Sequence, residues 1–238
     1  SDHCGGNAHL SGAFGCPIWV PPGHYQAARD WDAEVLSYRA TGQHCERFTP
    51  ARALLPGEVI EQAGRHWQAL AAPGHDPHSL MLFEPESGVL MSADALWEHG
   101  FGIVFPEIDG EEAFDEVEQT LNLIATLPIR VVVPGHGALF TDVDAALAEA
   151  RSRLAFFRRH PERHVRHAAK ALLVFHMLEM GQTSREALMT WLAHTPIHHA
   201  MWHRHFAATS LIDWTDELLA ELERSDLLIL ERDTIRCR

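Results

Sequence analysis

The sequence predicts an α/β protein built from layers of helices and strands, followed by a helical C-terminal segment. Residues 58–96 contain four short β-like runs, separated by turn signals at intervals of roughly 8–12 residues, as in a sheet. A helical period follows, because four apolar residues recur on one helix face: Phe114, Val117, Leu121 and Ile124. Residues 1 to about 155 therefore alternate strands with helices, which is typical of a layered α/β architecture.

The individual strands and helices of this first part are marked by short sequence signals. The four β-like runs are "EVIEQ", "HWQALAA", "SLMLFEP" and "GVLMSAD", and Pro17 to Val20 predicts a further short strand. "GHYQAARDWD" predicts a short helix, and "IRVVVPGHG" predicts a buried strand that ends in a glycine-rich turn. Thr141 is a good N-cap, so we expect the next helix to begin there.

The pattern changes near His160, from which point the sequence is mostly helical. Gly181 has the features of a helix C-cap, and Thr183 with Glu186 has the spacing of a capping box. A long helix covers "TDELLAELERSD", and "LLILERDTIRC" predicts two short strands around a turn. Between helices, we interpret "HTPIHHAMWHRHF" as a partly disordered loop. Three helices followed by a hairpin indicate a winged-helix-like domain, so we predict domains at residues 1–158 and 159–238.

The bulk composition limits the classes of function. The formal net charge of −14, from 19 Lys+Arg against 33 Asp+Glu, disfavours non-specific binding to nucleic acid. No apolar run approaches the ~18 residues of a membrane span. Four scattered cysteines form no CxxC pair and are typical of reduced thiols, so we expect a cytoplasmic protein without a membrane partner.

Four short segments combine histidine with aspartate, and three of them lie where an apolar strand runs into a turn. The segments are "SDH" with Asp2 and His3, "APGHD" with His75, "LMSAD" with Asp94 and "VPGHG" with His136. Residues at strand ends can converge on one edge of a sheet even when they are far apart in sequence. Imidazole and carboxylate groups together suit zinc or a comparable first-row ion, which lowers the pKa of bound water to around 7.

Taken together, these segments resemble the metallo-β-lactamase superfamily, whose signature is HxHxDH followed by His, Asp and His at later strand ends. "SDH" matches the last three positions of that motif, and "DHCGGN" matches its usual continuation. The resemblance covers residues 1 to about 155 and implies an αββα sandwich. Because the first two histidines of the motif would precede Ser1, the chain resembles a family member truncated at its N-terminus and lacking its first strands.

The resemblance also implies the metal ligands and their grouping. One metal position would take Asp2, His3 and His136, and the other would take His75 with the two histidines expected before Ser1. Asp94 would bridge both positions, while Asp2 and Asp94 would be the catalytic carboxylates. Two zinc ions are expected in the full-length protein, with iron or manganese as alternatives.

An aspartate at position 94, where some true β-lactamases carry cysteine, resembles the glyoxalase II-like branch of the family. This resemblance implies a hydrolase in which a metal-bridging hydroxide attacks a small-molecule thioester, ester or lactone. Three alternatives remain open, namely a metal-dependent ribonuclease, a single-iron sulfur dioxygenase of the same fold and a non-catalytic interaction protein. We expect the isolated 238-residue chain to be inactive and poorly soluble, and the sequence leaves its oligomeric state open.

Overall fold

The computed structural model describes residues 3–238, which form two compact units. The first unit contains residues 3–32 and 46–160, and the second contains residues 33–45 and 161–238. No helix in the described part of the chain combines the length and apolar character needed to cross a bilayer. Helices and sheets occur together, which confirms the predicted α/β fold class. The division into domains at residues 158 and 159 stays a prediction.

The helices and strands are numbered in chain order. The helices are α1 (Asn7–Phe14), α2 (Tyr25–Asp30), α3 (Tyr38–Thr41), α4 (Phe105–Asp109), α5 (Phe114–Thr126), α6 (Val143–Arg159), α7 (Pro161–Met180), α8 (Arg185–His194), α9 (Pro196–His205) and α10 (Leu211–Arg224). The strands are β1 (Trp19–Val20), β2 (Arg52–Ala53), β3 (Val59–Gln62), β4 (Arg65–Ala71), β5 (Leu80–Glu84), β6 (Val89–Ala93), β7 (Val131–Pro134), β8 (Gln182–Ser184), β9 (Leu228–Leu230) and β10 (Thr234–Cys237).

A five-stranded sheet with the strand order β3-β4-β5-β6-β7 organises the first unit. Neighbouring strands are antiparallel, except that β6 and β7 pair in parallel. Strands β4, β6 and β7 therefore run in the same direction. Their C-terminal ends, and the turns that follow them, lie at one edge of the sheet.

The hydrophobic core of the first unit lies between one face of this sheet and helices α5 and α6. Its fully buried members include Leu90 on β6, Leu121 on α5 and Ala150 on α6. Successive side chains of a strand point to opposite faces of the sheet, so Met91 and Val133 lie on the other face, where they pair in register. These two side chains are 40% and 39% exposed, so the second face of the sheet presents apolar surface.

Three helix N-termini show how side chains satisfy the first backbone N–H groups. Glu107 accepts hydrogen bonds from the backbone N–H groups of Ala113 and Phe114 at 2.6 and 2.8 Å, and so caps α5. Asp142, rather than the predicted Thr141, caps α6 by accepting a bond from Ala145 N.

The cap of α8 is also one residue later than predicted. Ser184 accepts a hydrogen bond from Ala187 N, whereas Thr183 lies within β8 and pairs with Ile235 of β10. The predicted capping box of Thr183 and Glu186 is therefore wrong, because strand pairing already fixes the backbone at residue 183.

The second unit contains a three-stranded antiparallel sheet of order β8-β10-β9, together with helices α3 and α7–α10. The C-terminal hairpin is the one predicted from the sequence, and Gly181 ends α7 with φ of 69° as expected. Arg166 on α7 forms ion pairs with Glu217 and Glu221 of α10. The description as a winged helix stays a prediction.

The histidine-rich run between residues 194 and 206 is helical, so its interpretation as a partly disordered loop is wrong. Helix α8 ends at His194, and Pro196 occupies the first turn of α9, where the missing N–H is no loss. Thr195 joins the two helices, and its hydroxyl donates a hydrogen bond to the carbonyl of Trp191. A single residue therefore separates the helices.

Within α9, the side chain of His198 is completely buried. Neither ring nitrogen has a hydrogen-bond partner among the described residues, and the ring packs edge-on against Trp191 at 5.1 Å between centroids. Burial lowers the pKa of His198 to about 3, with the charge of His176 acting in the same direction. The folded chain therefore keeps this ring neutral at pH values where the unfolded chain protonates it.

We expect this buried ring to make the second unit sensitive to acid. Because the folded-state pKa lies below the unfolded value of about 6.5, the full stability is present above that pH and is lost as the pH falls towards 3. One such group costs about 2 kcal/mol of unfolding free energy between pH 6.5 and 5. Urea unfolding at the two pH values measures this loss.

The variant His198→Leu should remove about that much of the pH dependence. The substitution His199→Leu, at the exposed neighbour on the same helix, is the matched control. An identical pH dependence in His198→Leu and the wild type would show that the buried ring does not cause the acid sensitivity.

Candidate metal centre

The common direction of β4, β6 and β7 brings three of the predicted site residues to one sheet edge. His75 follows β4, Asp94 follows β6 directly and His136 follows β7. His3 lies in the turn that precedes α1. All four residues belong to the first unit. Asp2, the remaining predicted ligand, lies outside the described residues.

Asp94 is the common neighbour of the three histidines. Its Oδ2 atom lies 3.0 Å from His3 Nε2 and 3.3 Å from His75 Nε2, and its Oδ1 atom lies 3.8 Å from His136 Nε2. One ligand atom from each of His3, Asp94 and His136 lies within 4.8 Å of the other two. The two carboxylate oxygens therefore face different histidines, and a single cation can contact three of the four side chains.

The surroundings of Asp94 favour its ionised form. Burial alone raises the pKa of Asp94, but the hydrogen bond with His3 and the charges of His75, His3 and His136 outweigh that effect. The pKa of Asp94 consequently lies below its usual value. The indole N–H of Trp97 also donates a hydrogen bond to Oδ1, at 3.0 Å.

His75 is oriented so that its Nε2 atom can act as a ligand. Its Nδ1 atom lies 2.6 Å from the carbonyl oxygen of Ile103, and since a carbonyl oxygen only accepts, Nδ1 carries the proton. In the neutral ring, the lone pair of Nε2 then faces the carboxylate of Asp94. Two acceptors this close repel each other unless a proton or a cation lies between them. The imidazole and carboxylate donors therefore fit an ion such as zinc.

Two glycines allow the backbone to approach these side chains closely. A Cβ atom at Gly135 would lie 2.5 Å from Asp94 Oδ1 and 2.6 Å from His3 Cε1. At Gly102, a Cβ atom would lie 2.7 Å from both Asp94 Cβ and His75 Nδ1. The space around the carboxylate is therefore filled to the point where no side chain fits at either position.

The structure brings together His3, His75, Asp94 and His136, whose role as metal ligands stays a prediction. Sequence reasoning missed Trp97 and Gly135, both of which touch or crowd the carboxylate of Asp94. Gly135 lies inside the "VPGHG" segment, so a glycine immediately before a candidate ligand was an available signal. For Trp97, the sequence offers no periodicity or spacing that indicates its contact.

Comparison with known proteins identifies the family. The sequence profile described as the metallo-beta-lactamase superfamily matches residues 1–136, which is more than half of the chain. The chain therefore belongs to the metallo-β-lactamase superfamily. A solved structure, a beta-lactamase domain protein from Burkholderia ambifaria, is 18% identical and has a TM-score of 0.50 over 93% of this chain and 64% of its own. That likeness supports the fold alone.

Curated relatives are similar over shorter stretches. A hydroxyacylglutathione hydrolase of Haemophilus influenzae is 26% identical over 153 residues, which cover 59% of this chain and 66% of the relative. An atrochrysone carboxyl ACP thioesterase of Aspergillus fumigatus is 26% identical over 102 residues, which cover 43% of this chain and 30% of the relative. The chain thus spans less than two thirds of the length of either relative.

The close approach at Gly135 predicts the effect of adding one methyl group. We expect Gly135→Ala to lower the free energy of unfolding by about 1–3 kcal/mol, because the new Cβ overlaps Asp94, His3 and the backbone of Ala93. Urea denaturation measures the change. Gly12→Ala is the control, since a Cβ atom there meets nothing within 4 Å. Equal stability of the two variants would mean that the space beside Asp94 is less tightly filled than the structure shows.

Proposed function

We propose that the protein is a metal-dependent hydrolase acting on a small thioester, with esters and lactones as chemically related substrates. The observation that carries this proposal is the convergence of His3, His75 and His136 on the buried carboxylate of Asp94. Membership of the metallo-β-lactamase superfamily supports it, because all four converging residues lie within the matched residues 1–136.

The donor set supports a pair of metal positions on either side of Asp94. Asp94 lies between His75 on one side and the group of His3 and His136 on the other, so its carboxylate could be shared by both positions. We propose zinc at both positions, with Asp2 as a further ligand beside His3. Bound zinc supplies a Lewis acid and makes hydroxide available from water near neutral pH.

The chain's own residues then have distinct tasks. His75 is locked by the bond from Nδ1–H to the Ile103 carbonyl, so its Nε2 keeps a fixed direction. Asp94, whose pKa is held low by its histidine neighbours against the effect of burial, remains a carboxylate across the neutral pH range. Asp2 is assigned the role of holding the attacking water and taking up its proton.

The names of the relatives favour a thioester over the other substrates. Hydroxyacylglutathione and acyl carrier protein conjugates are both S-acyl compounds, and proteins similar to this chain are named for hydrolysing them. The formal charge of −14 opposes binding of a polyanion such as RNA, so a ribonuclease is the weaker candidate. We therefore place the small acyl thioester first.

The proposal also covers the fold of the second unit and the cellular location of the protein. The order α7, β8, helices α8–α10 and then the β9–β10 hairpin supports a winged-helix-like domain at residues 159–238. The scattered cysteines are consistent with a cytoplasmic location. Both statements are proposals to be tested with the complete gene product.

The first experiment removes the shared carboxylate. In the complete product of the coding sequence that contains these residues, we expect Asp94→Ala to abolish nearly all hydrolysis of an S-acyl thioester, measured by thiol release. Bound metal, measured by elemental analysis, should fall in parallel because Asp94 contacts both positions. Asp144→Ala, at an exposed aspartate of α6, is the control. Retained activity with unchanged metal content in Asp94→Ala would refute the shared-ligand role.

The second experiment identifies the metal and separates the alternatives. We expect two zinc ions per chain, loss of thioesterase activity with a chelator and recovery when zinc is returned. One tightly held iron ion with consumption of oxygen would instead support the sulfur dioxygenase. Metal-dependent cleavage of single-stranded RNA, with no thioester hydrolysis, would support the ribonuclease.

A further inference from the structure

Trp97 lies beside the candidate metal centre on the chain segment that follows Asp94. Its backbone N–H donates a hydrogen bond of 2.7 Å to the carbonyl of Gly100. This bond closes a tight turn and fixes the backbone from which the indole side chain extends. The residue is half-buried, and it is not a member of the buried core cluster of the first unit. Its position is therefore set by the turn rather than by packing in the core.

The indole ring contacts two of the four converging side chains. Its Nε1–H group donates a hydrogen bond of 3.0 Å to Asp94 Oδ1. Its ring meets the imidazole of His136 edge to face, with 5.3 Å between centroids and an angle of 78° between planes. One side chain thus holds the carboxylate and limits the movement of a neighbouring imidazole.

The hydrogen bond fixes the orientation of the Asp94 carboxylate plane relative to the histidines. With Oδ1 held by the indole, Oδ2 is left facing His3 and His75 at 3.0 and 3.3 Å. Without it, the carboxylate could rotate about its last bond, a torsion with a broad energy minimum. Oδ1 still has a second lone pair available towards His136.

We propose that Trp97 is a positioning residue, which fixes the orientation of the Asp94 carboxylate among the three histidines that would hold the metal with it. This inference rests on the proposed function, because it assigns Trp97 a task at the same centre. A partner that orients a metal-binding carboxylate from outside the ligand set contributes about 10–100-fold to metal affinity. The contribution belongs to the indole N–H, so it disappears when the ring keeps its shape but loses that group.

Two variants in the complete gene product test the proposal. Trp97→Phe removes the N–H and part of the ring, while 3-benzothienylalanine at position 97 replaces the N–H by sulfur and keeps the shape of the indole. Both should bind Zn²⁺ about 10–100-fold more weakly than the wild type, measured by competition with a chromophoric chelator. Their thermal unfolding should stay close to that of the wild type, because Trp97 is not part of the core cluster.

Trp67→Phe is the matched control, since Trp67 is also half-buried in the first unit and lies on β4. A second measurement reports the hydrogen bond without metal. The indole N–H signal of Trp97 in a ¹⁵N-labelled, metal-free sample should be protected from solvent exchange and should lose that protection in Asp94→Ala.

The outcomes separate this inference from the proposed function. If the wild type and Trp67→Phe bind Zn²⁺ tightly and the benzothienyl variant binds it equally tightly, the role of Trp97 is overturned while the hydrolase proposal stands. If the wild type does not bind Zn²⁺, or if Asp94→Ala binds it as tightly as the wild type, the proposed metal centre itself is wrong. Weaker binding in both Trp97 variants, with a normal control, supports the positioning role.

Discussion

A buried carboxylate is the constraint on which the candidate centre depends. Asp94 is only 6% exposed, and a charged group in such a place is costly unless its neighbours compensate for the lost water. The compensation comes from an indole N–H and from three imidazoles that reach the carboxylate from separate segments of the chain. Removing any one of these neighbours therefore changes how the carboxylate is held and the geometry available to a cation.

The sheet makes this convergence possible because three of its strands share one direction. The backbone at the end of β6 is also unusual, since the register shifts after Met91 and Ala93 adopts a positive φ of 47°. Such a conformation is costly for a residue with a Cβ atom, and here Gly135 N donates a hydrogen bond of 2.7 Å to the Ala93 carbonyl. The turn after β7 thereby supports the turn after β6, and together they direct Asp94 towards the histidines.

The strands and the residues at their ends could be predicted from the sequence because both depend on local signals. Apolar runs bounded by turn signals predicted β3 to β7, and His75, Asp94 and His136 drew attention because each lies where such a run enters a turn. The side-chain contacts within the turns could not be predicted, as with the Trp97 bond to Asp94 three residues away, because no periodicity or spacing in the sequence marks them. The errors at Thr141 and Thr183 were shifts of one residue, because Ser, Thr and Asp are neighbouring cap candidates and tertiary pairing chooses among them.

The chain has 18 histidines, and their surroundings rather than their number decide what each of them can do. His198 is buried with Trp191 and without a hydrogen-bond partner in the described part of the chain, so its ring is kept neutral and serves packing at the expense of acid stability. His75 is also partly buried, but its Nδ1–H donates a hydrogen bond to the carbonyl of Ile103, and its Nε2 faces the carboxylate of Asp94. A basic nitrogen held against an anion is suited to sharing a cation, whereas the same nitrogen among apolar side chains is not. This difference is why the centre is assigned to the sheet edge and not to the histidine-rich helix α9.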